Sequence, residues 1–512
     1  NKTEAANLKN IKNFIARYNC HVPLVADIHF LPEAAEVAAR IVEKVRINPG
    51  NFLDKSLFLK KKTTVYDENL YQQELENISL RLKPLLNICK EYGTVIRIGV
   101  NHGSLSERVT WRYGNTAEGM VASAKEYIEI CRLQGFHNLV ISMKSSDVKT
   151  MVYAYRLLVI QMIKLGYDYP LHLGVTETGA GIDARLKSAA GIGTLLLEGI
   201  GDTIRVSLTE DPLKEIPIAK LLVDNFGKTK KKQISRIPKI NTYNKTFTYK
   251  INCLEHFSQT ACVLLETQKK GFKEVSPDFY LDKSKKYLSD ADTGIKIPVV
   301  FLRTEKYDVS IFNKQYRSVS ALMFDFSDCK DLFRMKKQLK EMRKQYPGNP
   351  LLIYKNYPLN KCETDLSLIA ATEFSFFLID GMIDGICIDM DTENTNLKEL
   401  MFGILQATGL RRIKAEFVAC PTCGRTSYDV EEALKMISEK LSHLKHLKIG
   451  VMGCVVNGPG EMADADYGYV GTTTGKINLY RKQQLVSKNI TESEAMEKLI
   501  ELIKNDGNWV ES

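Results

Sequence analysis

The sequence predicts an α/β protein in three parts: a TIM-type (β/α)8 barrel, an inserted α/β domain that is itself barrel-like, and a smaller C-terminal α+β domain. Three observations point there. From residue 1 to about 225, short apolar strands alternate with amphipathic helices, the pattern of βα units around a parallel sheet. A basic stretch interrupts this alternation, which resumes from about 246 to 410. From about 412 the composition changes to a Cys-bearing turn, a helix, a strand and a Gly-rich loop. The predicted parts are therefore 1–225, 226–411 and 412–512. A chain of 512 residues fits roughly three domains at about 100–200 residues each.

The first part opens on helical periodicity (Ala5, Leu8, Ile11, Ile15), then shows six strand candidates, around Leu24, Val45, Ile96, Val140, Leu171 and Val206. Helices follow most of them, for example 32–44 and 152–165. A barrel of this type needs eight strands. Because a helix precedes the first visible strand and Asn1 is not an initiator methionine, two strands are expected to precede Asn1; a doubly wound open sheet is the alternative. Between Lys228 and Lys250 there are eight Lys/Arg and no acidic residue. Aromatic interleaving is thin, so this reads as a solvated linker rather than a nucleic-acid arm. In the insert, strands are expected at 299–302, 322–326, 351–354 and 386–388, without a comparable polar set at their ends, which suits a scaffold. In the third part a helix is expected over 430–443 and a strand over 448–452.

Composition narrows the function. With 44% hydrophobic and 26% charged residues the chain is globular, not disordered, collagen-like or a disulfide framework. The most apolar stretch, 374–390, carries Asp380, Asp384 and Asp389, so no membrane span is expected. The eleven cysteines are odd in number and mostly scattered, which suits a reducing compartment. The net charge of +10 suits an anionic small substrate or an acidic partner.

Active sites of such barrels lie at the C-terminal ends of strands. Those positions hold Asp27 and His29; Arg46 and Asn48; Arg97 and Asn101; Ser142 and Lys144; His172, Thr176 and Glu177; Arg205 and Ser207. Four of the six ends carry Arg or Lys, and if they converge they form a positive mouth suited to phosphate or diphosphate. Any one of them alone reads better as a surface ion pair. Glu177, among these cations, is the natural acid/base candidate.

A second constellation is C-P-T-C, with Cys420 and Cys423, followed by Cys454 in G-C-V-V-N-G-P-G-E, which ends at Glu461. Zinc would ordinarily take four ligands, and no second CxxC exists. A thioredoxin-like pair leaves Cys454 unexplained. A [4Fe–4S] cluster with three Cys and Glu461 as a weaker fourth ligand fits best. His443 and His446 read as solvated. Two look-alikes are set aside. Gly179-Ala-Gly181-Ile-Asp-Ala184 mimics a dinucleotide fingerprint but follows a strand late in the barrel. Gly471-Thr-Thr-Thr-Gly475-Lys476 is a residue short of a P-loop and reads as a hairpin turn.

The motifs V-P-L-V-A-D-I-H-F (22–30), R-I-N-P-G-N (46–51), I-R-I-G-V-N (96–101), L-H-L-G-V-T-E (171–177), E-G-I-G-D-T-I-R-V-S-L (198–208), A-C-P-T-C-G-R (419–425) and G-C-V-V-N-G-P-G-E (453–461) closely resemble the 4-hydroxy-3-methylbut-2-en-1-yl diphosphate synthase family. That resemblance implies reductive ring opening of 2-C-methyl-D-erythritol 2,4-cyclodiphosphate in the methylerythritol phosphate route of isoprenoid biosynthesis. It implies a [4Fe–4S] cluster on Cys420, Cys423, Cys454 and Glu461. It also implies a diphosphate grip by Arg46, Arg97, Lys144 and Arg205, with Asp27, Asn101, Ser142, His172, Thr176 and Ser207. Glu177 would supply the proton with which a hydroxyl leaves as water, and the electrons would come from ferredoxin or flavodoxin.

The middle region resembles the insert of the family's long form, which is barrel-like. In short members the cluster domain of one subunit caps the barrel of another. Here the insert is expected to hold the cluster domain over its own barrel, in a monomer or homodimer. A chain lacking residues 229–410 that still assembled a working site by itself would refute this. The family's first strands, with their own substrate-facing residues, are absent here, so whether the chain turns over with its cluster intact is left to assay. The expected location is bacterial cytoplasm, with plastid stroma as the alternative. From another class, a zinc-holding protein binding phosphates or RNA competes; a sulfite-type reductase fragment would need a fourth cluster cysteine.

Overall fold

The computed structural model describes residues 1–53, 66–227, 260–265, 276–303, 321–358, 362–390, 396–421, 423–456 and 458–511. The basic stretch 228–250, expected to be a linker, lies outside the described residues, as do Thr422 and Asn457 within the two cysteine motifs.

Six parallel strands build the first part: β1 (Val25–Ile28), β2 (Lys44–Ile47), β3 (Val95–Asn101), β4 (Leu139–Lys144), β5 (His172–Leu173) and β6 (Thr203–Ile204). β1 to β4 form one sheet and β5–β6 another, with an isolated parallel bridge between Ile141 and Leu171 joining β4 to β5. The spatial order follows the chain order, as in a barrel wall; a doubly wound sheet would reverse direction part-way. Two helices differ from the periodicity. The first after β1 is Pro32–Ala39, shorter than expected because Lys44 already pairs in β2. The other, Val148–Leu165, starts early because the Asp147 side chain caps it through the Thr150 N–H. β6 is short, so Arg205 and Ser207 sit on the loop that follows it.

The insert contributes β7 (Ala261–Leu265), β8 (Phe279–Leu281), β9 (Tyr287–Asp290), β10 (Lys296–Arg303), β11 (Ala321–Asp325), β12 (Leu351–Tyr357) and β13 (Gly385–Met390). They close in the order β10-β11-β12-β13-β7-β8-β9, antiparallel only at β8–β9 and β9–β10. Phe279, Met323, Leu352 and Cys387 are buried among them. The ends of these strands are less bare than expected: Tyr354 donates to Asp389 and accepts from Lys285 at 2.8 Å, so the three satisfy one another. The apolar stretch 374–390 divides between helix Glu363–Leu378 and β13. Among the described residues no helix is long and apolar enough to cross a membrane.

One apolar core runs unbroken from the first part into the insert. At that seam Arg156 pairs with Glu198 and, at 2.6 Å, with Asp380; Lys336 also pairs with Asp380 and stands 3.7 Å from Glu198. All four side chains are at most 4% exposed.

The third part is a five-stranded sheet in chain order, β14 (Glu416–Ala419), β15 (Lys448–Met452), β16 (Tyr467–Gly471), β17 (Lys476–Arg481) and β18 (Gln484–Thr491). The Gly471–Lys476 look-alike is the turn between antiparallel β16 and β17, with Gly475 at φ +69°. The helix after β14 ends at Leu441, short of the expected residue 443. His443 is half-buried against Trp509, with ring centroids 5.2 Å apart, so it is not the solvated helix residue that was expected. This part covers the mouth of the first. Thr178 bridges Ala419 in parallel, Lys187 meets Glu416 at 2.9 Å, and Lys414 meets Asp183 at 2.6 Å.

Candidate functional site

Strand register assembles the cations. Asp27, Arg46 and Arg97 are direct partners across β1, β2 and β3, and Asn101 partners Lys144 across β3 and β4. Two glycines make room for the long side chains. A Cβ on Gly99 would stand 2.2 Å from Arg46 Nε, and one on Gly174 would stand 3.2 Å from Lys144 Cε. Arg46 Nη1 donates to Asp27 at 2.8 Å and lies 2.8 Å from His29 Nε2, while its Nη2 donates to the Gly99 carbonyl at 2.8 Å. His29 and Arg97 complete the ring around Asp27, at 3.2 and 3.9 Å. Burial opposes ionisation of Asp27, but Arg46 and His29 hold its carboxyl well below the usual range.

Few anions balance this charge. Burial, then Arg97, Arg205 and Arg46, hold the Lys144 ammonium well below its ordinary value. Burial and Arg46 bring Arg97 down to about 10. Burial, then Lys144 and Arg97, bring His172 down to about 2, so the ring is neutral. Arg46 Nε, Arg97 Nε and His172 Nε2 are buried and have no hydrogen-bond partner among the described residues. Buried donors of this kind, left open beside repelling cations, suit an anionic oxygen-rich ligand.

Glu177 is 2% exposed and has φ +50°, in the left-handed region that a glutamate seldom adopts. Burial and the nearby Glu461 raise its carboxyl well above the usual range, although Thr176 donates to it. Burial likewise raises Glu461. The turn carrying Glu461 (Gly458–Glu461) meets the turn His102–Ser104 so closely that a Cβ on Gly103 would be 2.1 Å from the Gly460 carbonyl. Between them a cavity of about 450 Å³ is lined by His29, Asn48, Asn51, Asn101, Pro459 and Glu461.

The cysteine loops interlock at the same rim. The Gly453 N–H donates to Cys420 Sγ at 3.1 Å, and the Thr426 hydroxyl approaches Cys423 Sγ at 4.0 Å. Burial pushes the Cys420 thiol up to about 12, with Glu461, Glu177 and Cys423 adding to the rise. Among the described residues no three His, Cys, Asp or Glu side chains converge tightly enough to hold a single metal ion. In a [4Fe–4S] cube each ligand takes a different iron, so its ligands stand apart. The donor set of three thiols and a carboxylate around one rim, with an N–H already on sulfur, suits that group.

A larger cavity of about 730 Å³ lies at the junction of the three parts, lined by Gly179, Arg185, Gly403, Glu416 and Leu434. Most of its charged groups are already paired (Arg185 with Glu210, Lys187 with Glu416, Lys414 with Asp183), so no comparable excess of cations stands there. The dinucleotide look-alike ends at this cavity. Its Gly181 N–H donates to Glu210 at 2.8 Å, so a carboxylate of the chain itself takes the place a phosphate would need.

Comparison with known proteins covers both parts that carry these constellations. Residues 1–220 match the family model described as the GcpE TIM-barrel domain, and residues 416–505 match the GcpE protein C-terminal domain. The chain is 41% identical to the 4-hydroxy-3-methylbut-2-en-1-yl diphosphate synthase (flavodoxin) of Phocaeicola vulgatus, over 99% of this chain and 89% of that protein. The protein of the same name from Akkermansia muciniphila is 40% identical, over 100% of this chain and 88% of its own. The chain belongs to the 4-hydroxy-3-methylbut-2-en-1-yl diphosphate synthase family.

In this synthase family member the sequence-expected residues are not all placed alike. Arg46, Arg97, Lys144 and Glu177 are buried near one another, His172 is half-buried beside them, and Asp27, 46% exposed, stands at their open edge. Arg205 is more exposed and stands 4.0 Å from Glu215. Asn101 accepts from the Gly103 N–H, and Ser207 lends its carbonyl to Thr178, so both also shape turns. Ser142 is buried beside Gly99. Asn51 and Arg425 were not singled out from sequence. Asn51 approaches the second nitrogen of His29 at 3.3 Å, and Arg425 is close enough to draw on Glu461 and His29. For both the only signal was their place in the motifs R-I-N-P-G-N and C-P-T-C-G-R.

Proposed function

We propose that this chain opens the ring of 2-C-methyl-D-erythritol 2,4-cyclodiphosphate reductively to give (E)-4-hydroxy-3-methylbut-2-en-1-yl diphosphate. The observation that carries the reading is the enclosed row of Arg46, Arg97 and Lys144, short of balancing anions and with unpartnered N–H groups. The four cations, counting Arg205, grip the diphosphate, with Asn101, Ser142, His172, Thr176 and Ser207 around it. Asp27 holds Arg46 and Arg97 in place.

A [4Fe–4S] cluster on Cys420, Cys423, Cys454 and Glu461 would, when bound, deliver the two electrons that break the ring C–O bond. Two electrons and one proton are taken up: the ring C–O bond breaks with its oxygen kept on the diphosphate, and the hydroxyl on the neighbouring carbon leaves as water. Glu177, kept protonated by burial, holds that proton beside the departing hydroxyl. The C-terminal part, closed over the mouth, keeps bulk water from the reacting atoms. Flavodoxin, named for the relatives, or ferredoxin is the electron donor, and the bacterial cytoplasm is the place of action. Residues 1–225 bind substrate, 226–411 hold the C-terminal part over its own barrel, and 412–512 carry the cluster.

The test is anaerobic purification followed by assay with a reduced donor. Brown protein with iron, sulfide and product formation is expected. Colourless protein with stoichiometric zinc would overturn the reading in favour of a zinc-holding phosphate-binding protein.

A further inference from the structure

Thr209 belongs to no catalytic or binding role assigned above, yet it sits where three functional segments meet. It is fully buried. Its N–H donates to the Gly179 carbonyl at 2.8 Å, which ties the loop after β6 to the loop that carries Glu177. Its hydroxyl reaches across to the C-terminal part and donates to the Ala419 carbonyl at 3.1 Å or to the Cys420 carbonyl at 3.2 Å. Beside it the Thr178 hydroxyl donates to the Ser207 carbonyl, and Thr178 bridges Ala419 in parallel. The segments bearing Glu177, Arg205–Ser207 and Cys420 are thus tied at one point. The ion pairs of this seam (Lys187–Glu416, Lys414–Asp183) are on other residues and do not reach Cys420.

We infer that Thr209 is a positioning residue whose hydroxyl sets the place of Cys420, and with it the cluster, relative to the cations and Glu177. This rests on Cys420 being a cluster ligand. A hydroxyl with one proton and two carbonyls in reach holds direction as well as distance, and a buried hydrogen bond lost without replacement is worth about a factor of ten. Valine has the same shape as threonine without the donor, so Thr209→Val is the informative change.

The expected result is normal iron and sulfide content, kcat lowered about tenfold with KM for the cyclodiphosphate unchanged, and an altered electron paramagnetic resonance spectrum of the reduced, substrate-bound protein. In cluster-free protein, amide exchange at 415–421 should quicken. Thr209→Ser, which keeps the hydroxyl, should restore kcat, the spectrum and the amide exchange. Unchanged kinetics and spectrum in Thr209→Val would overturn the inference. An equal loss in Thr209→Ser would also overturn it, because only packing would then be at stake, and that comparison holds even if Thr209→Val folds poorly. A wild-type chain that binds no cluster would instead refute the proposed function.

Discussion

Glu177 is held in a left-handed backbone conformation that costs a non-glycine residue on the order of 1 kcal/mol, and its neighbours fix it there. The Thr176 hydroxyl binds its carboxyl, and Thr178 is fastened to Ser207 and Ala419. Strain so closely braced aims the carboxyl inward, toward Glu461 and the cations. Glu177→Gln keeps the shape and removes the acid. Its kcat should fall by about 10²–10⁴-fold while KM changes little, as read from steady-state kinetics. A matching rise in KM would mean that Glu177 binds substrate instead. The strand-end rule could pick out Glu177; its backbone strain has no signature in the sequence.

At the scale of elements, the proposed function depends on how closely two turns approach. His102–Ser104 follows β3, and Gly458–Glu461 carries the proposed fourth ligand. Gly103 and Gly460 let their backbones touch, since a Cβ on Gly103 would lie 2.1 Å from the Gly460 carbonyl. Gly103→Ala should therefore prop the cover open at a cost of about 1–3 kcal/mol, leaving iron and sulfide content intact but lowering turnover about tenfold or more. Metal analysis beside turnover measurement checks it, and full activity would show that the turns separate during the reaction. Gly460 could be read in its motif, whereas Gly103 lies two residues past I-R-I-G-V-N and carried no signal of its own. That they face each other across more than 350 residues could not be read, because periodicity encodes local structure and not the docking of parts.

Over the whole molecule, buried charge links the parts. Arg156 and Glu198 of the first part meet Asp380 and Lys336 of the insert, all enclosed. Asp380→Asn leaves two buried cations with Glu198 alone and should cost about 3–5 kcal/mol, seen as a lower urea midpoint. An unchanged midpoint would mean the insert docks through its apolar seam alone. The cover is tied differently, through its Glu416 to Lys187 at 2.9 Å, with the cover's own Lys448 at 3.7 Å from the same carboxylate. Burial opposes ionisation of Glu416, but the two lysines bring its carboxyl down to about 2 from 4.5. A depressed carboxylate stabilises the fold above pH 4.5 and loses that contribution as pH falls toward 2. Glu416→Gln should therefore melt lower than wild type at pH 7, with the gap closing as pH drops from about 4.5 to about 2 in thermal melts. A gap independent of pH would assign the loss to packing.

By itself the sequence determined the family and the order of the elements, and it offered the candidate residues. Strands at Val45, Ile96 and Val140, a cation at the end of each, and the thiols at Cys420, Cys423 and Cys454 were legible because alternation and spacing are local. Only the tertiary structure decided that Arg46, Arg97 and Lys144 share one enclosed space, because register between strands far apart in the chain sets their distance. It also decided that Cys420 and Glu461 lie over the same chain's barrel, through Thr209, Thr178 and Gly103. Those contacts depend on buried hydrogen bonds and backbone approach between parts, which leave no periodic trace in the residues that make them.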